Sequence, residues 1–271
     1  MTYLSREAAS LSEDLWSRID QTVVSAARRM LTGRRFLPLC GPLGMGARAV
    51  PSDLTGQVEE MEKNGVTVTA GRVYRELPLI HEDFMILGAD LAAAAASGIA
   101  RDMAPVAAAA SACAVREDRF IFQGEKQLGY AGLMNVQGRQ TVEKSDWSQG
   151  ENPFTDCARA IELLIDKGIY GDYTLIVSPD LYVQMQRIQP GTGVLELERI
   201  EKLLQGHVYR TPVLEKGQAV MVCAEEENMD LVIGQDMAAA YLEQTGLNHY
   251  FRITESLLLR VKRPEAVVTF G

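Results

Sequence analysis

The chain has 271 residues, of which 47% are hydrophobic and 23% are charged, a composition typical of a globular protein with a substantial core. Its formal net charge of −9 argues against a nucleic-acid-binding protein, for which a strongly basic surface is expected. The wide spacing of the cysteines argues against a disulfide framework and against a metal cluster; they are Cys40, Cys113, Cys157 and Cys223.

The first nine residues include the charged Arg6 and Glu7 and lack the apolar core of a secretion signal. The longest run of small apolar residues, 91–100, is too short and too rich in alanine to cross a bilayer. We therefore expect a soluble, cytoplasmic protein that has no membrane partner.

A first amphipathic helix is predicted to start after Ser12, which is a typical N-cap residue. The spacing of the following apolar residues indicates one buried helical face, formed by Trp16, Ile19, Val23, Ala27 and Met30. Gly33 is predicted to be the C′ residue that ends this helix. Residues 34–39 are then expected to be extended, up to the break in regular structure at residues 41–44.

Residues 56–84 are predicted to form a long, exposed ribbon of two strands. Val66 and Val68 alternate with threonines directly after Asn64-Gly65, a dipeptide favoured in tight hairpin turns. Pro78 and the many charged residues suit an exposed ribbon better than a central strand. Because two strands alone are only marginally stable in water, we expect the ribbon to lie on another surface, such as a neighbouring subunit.

The rest of the chain contains both helices and strands. Pro105, near the first helical position, indicates a helix over residues 104–122 whose small side chains favour close packing. Further helices are predicted over residues 157–167, 179–187 and 195–204, and strands over 173–177, 219–224, 231–233, 250–253, 257–261 and 266–270. A loop precedes the last of these helices and consists of Pro190, Gly191, Thr192 and Gly193.

The sequence contains none of the local motifs that carry chemistry in common enzyme classes. It has no G-x-G-x-x-G or P-loop spacing for a nucleotide, no G-x-S-x-G nucleophile elbow, and no His-Glu-x-x-His metal motif. We therefore expect a protein that is not an enzyme, with no catalytic residue, no cofactor and no metal.

Two groups of residues leave other interpretations open. His81-Glu82-Asp83 can offer a base with carboxylates, but it also suits a solvated ribbon face or a salt-bridge patch between subunits. A cysteine hydrolase that pairs Cys157 or Cys223 with His249 is a second alternative, although no flanking motif supports it.

Short pieces of sequence, in the same order, resemble the encapsulin (linocin-like) shell family along nearly the whole chain. Each piece is weak alone, whereas the shared order is specific. The pieces are residues 11–16 with Ile19-Asp20, 33–36, 41–44, 77–80, Glu117-Asp118 with 121–124, 132–134, 173–179, 234–236 and 263–266.

The resemblance implies an α+β fold of the tailed-phage major capsid type (Hong Kong 97 type). Residues 1–49 would then hold the N-terminal helix and the start of a peripheral domain, and residues 50–91 an extended loop that lies along a neighbour. Residues 92–139 would contribute a spine helix to the peripheral domain. Residues 140–222 would form an axial domain, and residues 223–271 the C-terminal sheet of the peripheral domain.

The resemblance also implies that the chain assembles rather than catalyses. Members of the family build closed icosahedral shells from sixty subunits or a multiple, and they sequester cargo enzymes that carry a short C-terminal targeting peptide. Such cargo includes ferritin-like proteins and dye-decolorising peroxidases, which links the shells to iron storage and oxidative stress. We therefore expect the partners to be further copies of this chain and a cargo protein, without nucleic acid.

By position, Arg34, Ala239 and Tyr241 fall where members of the family line the docking groove for the targeting peptide. The alternative is that Tyr241 is a core residue and that Arg34 forms an ordinary structural ion pair. The loop of residues 190–193 would lie near the pore on the five-fold axis.

The sequence departs from the family at two positions. Some members have an acidic residue four positions after the arginine that corresponds to Arg34, where this chain has Pro38. Some bind flavin through a tryptophan in the returning strand of the ribbon, where this chain has Ala89, so we expect no flavin at that place. A phage capsid protein is an alternative with the same fold, but the sequence shows no scaffold-like N-terminal extension to favour it.

Overall fold

The computed structural model describes residues 4–9, 11–52, 58–97, 102–189 and 193–271. The helices are α1 (Glu13–Met30), α2 (Gly88–Ser97), α3 (Ala104–Gln123), α4 (Asn152–Asp166), α5 (Pro179–Gln184) and α6 (Glu196–Leu204). The strands are β1 (Leu39–Cys40), β2 (Ala49–Pro51), β3 (Glu59–Lys63), β4 (Val66–Ala70), β5 (Tyr74–Glu76), β6 (Leu79–Ile86), β7 (Gly124–Glu125), β8 (Tyr130–Ala131), β9 (Gln140–Val142), β10 (Tyr173–Val177), β11 (Val208–Arg210), β12 (Ala219–Cys223), β13 (Met229–Thr245), β14 (Asn248–Val261) and β15 (Val267–Phe270). Within these ranges, no helix is long and apolar enough to cross a membrane.

One sheet has the strand order β1-β13-β14-β6 and is dominated by the long β13–β14 hairpin. β14 pairs antiparallel with both β13 and β6, whereas the short β1 pairs with β13 only at Leu231 and Val232. Register shifts on both sides of Gln235 interrupt the β13–β14 ladder, as β-bulges do. β13 therefore extends well beyond the two residues that β1 covers.

α1 and α3 pack on this sheet through a core centred on Phe251. This side chain is fully buried and stacks on Phe84, with ring centroids 5.0 Å apart. It also makes T-shaped contacts with Trp16 of α1, at 5.7 Å, and Tyr241 of β13, at 5.6 Å. The apolar face predicted for the first helix thus joins α1 to three strands of the sheet.

A second sheet has the strand order β11-β10-β12-β15-β9, and every residue of β10, β12 and β15 is buried. Such continuous burial is typical of strands that are covered on both faces. β15 pairs with β12 and β9. A domain that begins at residue 223 would group β15 with β13 and β14 of the first sheet. β15 instead pairs with strands of the second sheet.

Between β1 and β6, β2 pairs with β5 and β3 pairs with β4 in two antiparallel ribbons. We call the described residues of this part, 49–52 and 58–76, the arm. Asn64 and Gly65 form the β3–β4 turn with positive φ angles of 54° and 74°, so the predicted hairpin turn is confirmed. At the base of the arm, the Arg260 guanidinium donates a hydrogen bond to the Pro51 carbonyl over 3.1 Å. The base is therefore attached to β14, while β3 is exposed along its whole length.

Several predicted elements are confirmed. The Ser12 Oγ accepts a hydrogen bond from the Leu15 N–H at the start of α1, and Pro105 lies in the first turn of α3. The strand over residues 173–177 is β10. α4 begins at Asn152 rather than at residue 157, and the alanine-rich run near residue 91 belongs to α2, which was not predicted as a helix.

The prediction for the end of the first helix is wrong. α1 ends at Met30, and Gly33 begins a 3-10 turn, Gly33–Arg35, where an extended segment was expected. The cause lies far away in the sequence, because the Asp118 carboxylate accepts hydrogen bonds from the backbone N–H groups of Thr32 and Gly33. A sequence pattern that is local to the helix cannot reveal this partner.

Two further boundaries differ for tertiary reasons. Residues 250–253 and 257–261 belong to one strand, β14, because the intervening polar residues 254–256 are buried and pair with β6. The helix that starts at Pro179 ends at Gln184, since the carbonyls of Met185 and Arg187 accept N–H groups from the start of α6 instead.

Candidate docking groove

A groove of about 410 Å³ lies between α1, the turn that follows it, β1 and β13. We call it the α1 groove, and it is lined by Val23, Val24, Ala27, Arg28, Leu31, Arg34, Arg35, Leu39, Asp236 and Met237. Val24 and Leu39 are large apolar side chains that are nevertheless 47% and 52% exposed. An apolar surface with charged neighbours suits a partner that presents both apolar and polar side chains.

Arg34 is bound by three carboxylates from three different elements. Its Nε and Nη2 atoms donate to the two oxygens of Glu117 on α3, over 2.7 and 2.8 Å. Nη2 also donates to Glu255 on β14 over 2.9 Å, and Nη1 donates to Asp236 on β13 over 2.6 Å. Although burial alone would lower it, the hydrogen bonds and negative charges of these partners raise the pKa of Arg34 above its ordinary value.

The turn that presents Arg34 is fixed by Asp118, which is fully buried. Its carboxylate accepts the N–H groups of Thr32 and Gly33, each over 2.9 Å. Burial raises the pKa of Asp118 to about 6 in spite of these bonds. Gly33 lies close to α3, since a Cβ atom there would approach the Ile121 Cδ1 atom to 2.5 Å. Arg34 is therefore both a structural ion-pair residue and part of the groove wall.

Ala239 and Tyr241, the other two predicted docking residues, lie further along β13 and belong to the core. Ala239 is fully buried, and Tyr241 is 8% exposed with its hydroxyl 3.3 Å from His249 Nδ1. The N-terminal segment runs beside them, because Arg6 donates to the Ala239 carbonyl and the Tyr241 N–H donates to the Leu4 carbonyl, each over 2.9 Å. The structure thus brings Arg34 to the groove, whereas the other two side chains pack beside it.

The sequence analysis did not identify the partners of Arg34. Glu117 and Asp236 both occur in pieces of sequence that carry the family resemblance. Glu117 is also a charged residue on a buried helix face, and this pattern could have indicated a buried ion pair. Glu255 gave no such signal because it separates two apolar runs. Pro38 stands where some family members have an acidic residue. Its carbonyl accepts a hydrogen bond from the Leu231 N–H over 2.8 Å and so joins β13 to the chain before β1.

A second cavity, of about 620 Å³, lies at the start of α2 and includes Ala89 in its wall. Leu11 and Leu15 from the α1 side, and Leu247 and His249 from the β13–β14 hairpin, complete most of the lining. Where some members of the family have a flavin-binding tryptophan, this chain thus has the small apolar Ala89, at the edge of a cavity.

Most of the predicted pore loop, residues 190–192, lies outside the described residues. Gly193 follows them with a φ of 68°, in the region that favours glycine. An antiparallel bridge between Ile188 and Leu195 joins the two sides of the loop at its base. The chain therefore leaves and returns at one place, beside the start of α6.

The arm presents apolar side chains to solvent in the isolated chain. Met61, Val66 and Val68 are 55%, 64% and 52% exposed, and Met61 lies opposite Val68 in the β3–β4 register. Side chains of this size favour burial, so this surface is suited to contact with another molecule.

The cluster His81-Glu82-Asp83 lies on β6, where its carboxylates are used in ion pairs within the chain. Glu82 pairs with Arg116 of α3. Asp83 accepts two hydrogen bonds from Arg252 of β14, over 2.6 and 2.8 Å, and these bonds lower the pKa of Asp83. The cluster therefore forms ion pairs within one chain, whereas the salt-bridge patch considered from the sequence was one between subunits.

The two cysteines considered as nucleophiles, Cys157 and Cys223, do not have the properties of reactive thiols. Cys157 is fully buried, and burial raises the pKa of its thiol; burial also raises the pKa of Cys223 to about 11. A reactive cysteine instead needs a lowered pKa and access to its substrate. The geometry gives no support to a cysteine hydrolase. Among the described residues, no group of three or more His, Cys, Asp or Glu side chains is placed to hold a metal ion.

Comparison with known proteins identifies the family. Residues 1–258 match the Linocin_M18 family, described as "Encapsulating protein for peroxidase". The type 1 encapsulin shell protein EncA of Myxococcus xanthus is 39% identical, in an alignment that covers 98% of this chain and 96% of that protein. A diheme-cytochrome–encapsulin shell fusion protein of Kuenenia stuttgartiensis is 32% identical over 96% of this chain and 73% of its own length.

Solved structures show the same fold. The virus-like particle of Pyrococcus furiosus has a TM-score of 0.76 at 17% identity and covers 95% of this chain and 99% of its own. The capsid protein of the myovirus XM1 has a TM-score of 0.62 at 13% identity over 89% of this chain and 91% of its own. The predicted α+β fold of the phage capsid type is therefore confirmed. The chain belongs to the encapsulin (Linocin_M18) family, whose members are shell subunits of protein compartments.

Proposed function

We propose that this chain builds a closed icosahedral shell of sixty copies or a multiple, in the cytoplasm, and that it has no catalytic activity of its own. The observation that carries this proposal is the arm, which is exposed along β3 and carries apolar side chains in an isolated chain. A two-stranded ribbon of this kind gains stability when it lies on a neighbour, so association supports an element that is weak alone.

Size-exclusion chromatography and negative-stain electron microscopy of the protein expressed alone test the assembly. We expect uniform hollow particles whose diameter gives the number of subunits, and particles without DNA. Deletion of residues 66–73 is expected to leave small soluble species. Intact particles from the deletion variant would contradict the role of the arm, and a monomeric wild type would contradict the shell. DNA within the particles would favour the phage-capsid alternative.

We propose further that the α1 groove docks the C-terminal targeting peptide of a cargo protein. Val24 and Leu39 offer exposed apolar surface, and Arg34 and Asp236 offer paired charges in the same wall. Ala239 and Tyr241 would act indirectly, because they pack the core beside the groove rather than line it. Val24 and Leu39 are the apolar residues of the lining that are most available for contact with a partner, whereas Val23, Ala27 and Leu31 are already buried in the core.

Co-expression with a fluorescent protein tests the docking. The fluorescent protein would carry the last ten or so residues of a ferritin-like protein or a dye-decolorising peroxidase of the same organism, and co-purification with shells would be measured. Leu39→Asp is expected to abolish capture without preventing assembly. Leu128→Asp is the matched control, because Leu128 is 68% exposed and does not line the groove. Equal capture by both variants would contradict docking in the α1 groove.

The cargo class is proposed from the names of relatives. One relative is a shell protein fused to a diheme cytochrome, and another, from Pyrococcus furiosus, is fused to a ferritin-like protein. Both fusion partners are redox or iron proteins by name. This supports cargo of the ferritin-like or dye-decolorising peroxidase class, and with it a function in iron storage or oxidative stress.

We also propose that residues 190–193 border a pore. The support is the bridge between Ile188 and Leu195, which holds the two ends of this segment together beside the start of α6. Doubling the number of residues between positions 190 and 193 is expected to slow the entry of small solutes into the shell without changing the diameter of the shell.

A further inference from the structure

Two buried carboxyl groups meet at one nitrogen atom of Arg34. Glu117 and Glu255 have fully buried side chains, and both accept hydrogen bonds from Arg34 Nη2, over 2.8 and 2.9 Å. Glu117 accepts a second bond, from Nε over 2.7 Å, and so holds the guanidinium in a two-pronged grip. Glu255 has instead a thiol as its second neighbour, since the Cys113 Sγ lies 3.5 Å from its other oxygen.

The charges in this cluster do not balance if every group is ionised. Arg34 supplies one positive charge, whereas Glu117, Glu255 and Asp236 would supply three negative charges. Asp236 is largely exposed and is solvated, but the other two carboxylates are shielded from water. Two like charges that share one buried counter-ion are strongly unfavourable, so one of the pair is expected to remain protonated.

We propose that Glu117 and Glu255 hold one proton between them, carried by Glu255, and that this proton lets both buried carboxyl groups share the single cation Arg34 in the wall of the α1 groove. The two glutamates are thus positioning residues for docking. This part of the inference rests on the docking function proposed above, whereas the shared proton does not.

The surroundings agree with this assignment. Burial and the neighbouring Glu117 carboxylate raise the pKa of Glu255 well above that of an ordinary glutamate. Among the described residues, the other titratable or charged groups around the pair include Cys113, Arg116 and Asp118 of α3 and Asp236 of β13, and His81 on β6 lies opposite Thr254. Burial raises the pKa of the Cys113 thiol, so it adds no charge to the cluster. Loss of the proton would place a second buried negative charge beside Glu117, which the single cation Arg34 cannot neutralise, and the repulsion between the two carboxylates would destabilise the cluster that forms this wall of the groove.

The sign of the pH dependence follows directly. A glutamate in the unfolded chain loses its proton at an ordinary pKa, whereas Glu255 in the folded protein keeps it to higher pH. Between these two values the folded state binds more protons than the unfolded state, so stability falls as the pH rises. Glu255→Gln mimics the protonated acid and is expected to remove this part of the pH dependence.

Infrared difference spectroscopy of assembled, empty shells gives the first test. A protonated carboxyl group has a C=O stretching band that a carboxylate lacks, and we expect such a band at neutral pH, its loss on titration to alkaline pH, and its absence in Glu255→Gln. Asp83→Asn is the matched control. Hydrogen bonds from Arg252 lower the pKa of Asp83, so this carboxyl group is ionised at neutral pH and its replacement should leave the band unchanged. If the neutral-pH band is absent from the wild type, or persists in Glu255→Gln, the shared proton is refuted.

Thermal unfolding of the same shells gives a second readout. The midpoint for Glu255→Gln is expected to lie near that of the wild type at neutral pH and to vary less toward alkaline pH. Glu117→Gln/Glu255→Gln is expected to have a much lower midpoint, because it leaves the largely buried Arg34 with only the exposed Asp236. If the single Glu255→Gln variant is as unstable as the double variant, both carboxylates are ionised and the proposal is wrong.

Capture of the fluorescent fusion protein, described above, tests the positioning role. When shells are reassembled from subunits, capture by the wild type is expected to fall from neutral to alkaline pH, while capture by Glu255→Gln stays constant. Parallel losses in both proteins would refute the positioning role and leave the shared proton to the spectroscopic result. If no fusion protein is captured at any pH, docking in the groove is refuted, and the two preceding tests still decide the proton.

Discussion

Replacing Phe251 by alanine is expected to loosen one half of the subunit and to leave the other half intact. Phe251 is fully buried between α1, β6 and β13, and its ring contacts Trp16, Phe84 and Tyr241. Truncation of a buried phenylalanine costs about 3–5 kcal/mol. Since each aromatic pair adds about 0.5–1.5 kcal/mol and the three pairs share one ring, we expect a value at the upper end, about 4–5 kcal/mol.

Hydrogen exchange of assembled shells measures this effect locally. A loss of about 4 kcal/mol corresponds to roughly three orders of magnitude in the opening equilibrium, and hence in the exchange rate, of amides in α1 and β6. Phe270→Ala is the matched control, because Phe270 lies in β15 of the other sheet, is 2% exposed and makes an aromatic contact with Trp147 in the turn before α4. It should raise exchange in β12 and β15 instead.

The outcome that refutes this reasoning is uniform exchange. If Phe251→Ala and Phe270→Ala raise exchange equally in both sheets, the subunit opens as one unit and the division into two cores has no energetic meaning. A change below about 1 kcal/mol for Phe251→Ala would show that the aromatic cluster relaxes around the cavity, contrary to the close packing inferred here.

Three further predictions concern the segments around the α1 groove. Gly33→Ala is expected to cost about 1–3 kcal/mol, because its Cβ would lie 2.5 Å from Ile121 Cδ1; thermal unfolding measures the loss, and Ile121→Val should restore part of it. Burial raises the pKa of Asp118 from 3.8 to about 6, so the folded state binds the extra proton and Asp118 should make stability fall by about 3 kcal/mol as the pH rises between these values. In calorimetry, Asp118→Asn should lose this part of the fall and keep the part that is due to Glu255, and an unchanged slope would refute the assignment. Arg6→Ala should speed hydrogen exchange at the Tyr241 N–H, which donates to the Leu4 carbonyl. Arg6→Lys should restore little of the slow exchange, because lysine lacks the planar guanidinium group. Equal exchange rates in the wild type and both variants would contradict the anchoring role of Arg6.

The sequence alone was sufficient where the determinants of structure are local. Ser12 caps α1 through its own hydroxyl, Asn64-Gly65 forms its turn through its own φ angles, and Pro105 begins α3 because it needs no N–H partner. The order of the short family-like pieces was enough to predict the capsid fold, which the structural comparisons confirm.

The sequence was insufficient where a long-range contact decides. Gly33 has the sequence context of a helix terminator, yet its role is close approach to α3 and donation to Asp118, 85 residues away. Glu255 interrupts two apolar runs and indicates a break, yet the strand continues because Arg34 pairs with the buried carboxyl from a distance of 221 residues. No local pattern carries this information. For the same reason, the sequence did not indicate the three carboxylates that bind Arg34.

These long-range contacts determine which residues can be used to study docking. Arg34 joins the turn after α1 to α3, β13 and β14, so replacing it leaves buried Glu117 and Glu255 without their cation and lowers stability whatever the groove binds. Loss of cargo in an Arg34 variant is therefore ambiguous. Val24 and Leu39, by contrast, are about half exposed. Because their replacement by a polar residue should cost the isolated subunit little, a loss of cargo in those variants would report on docking itself.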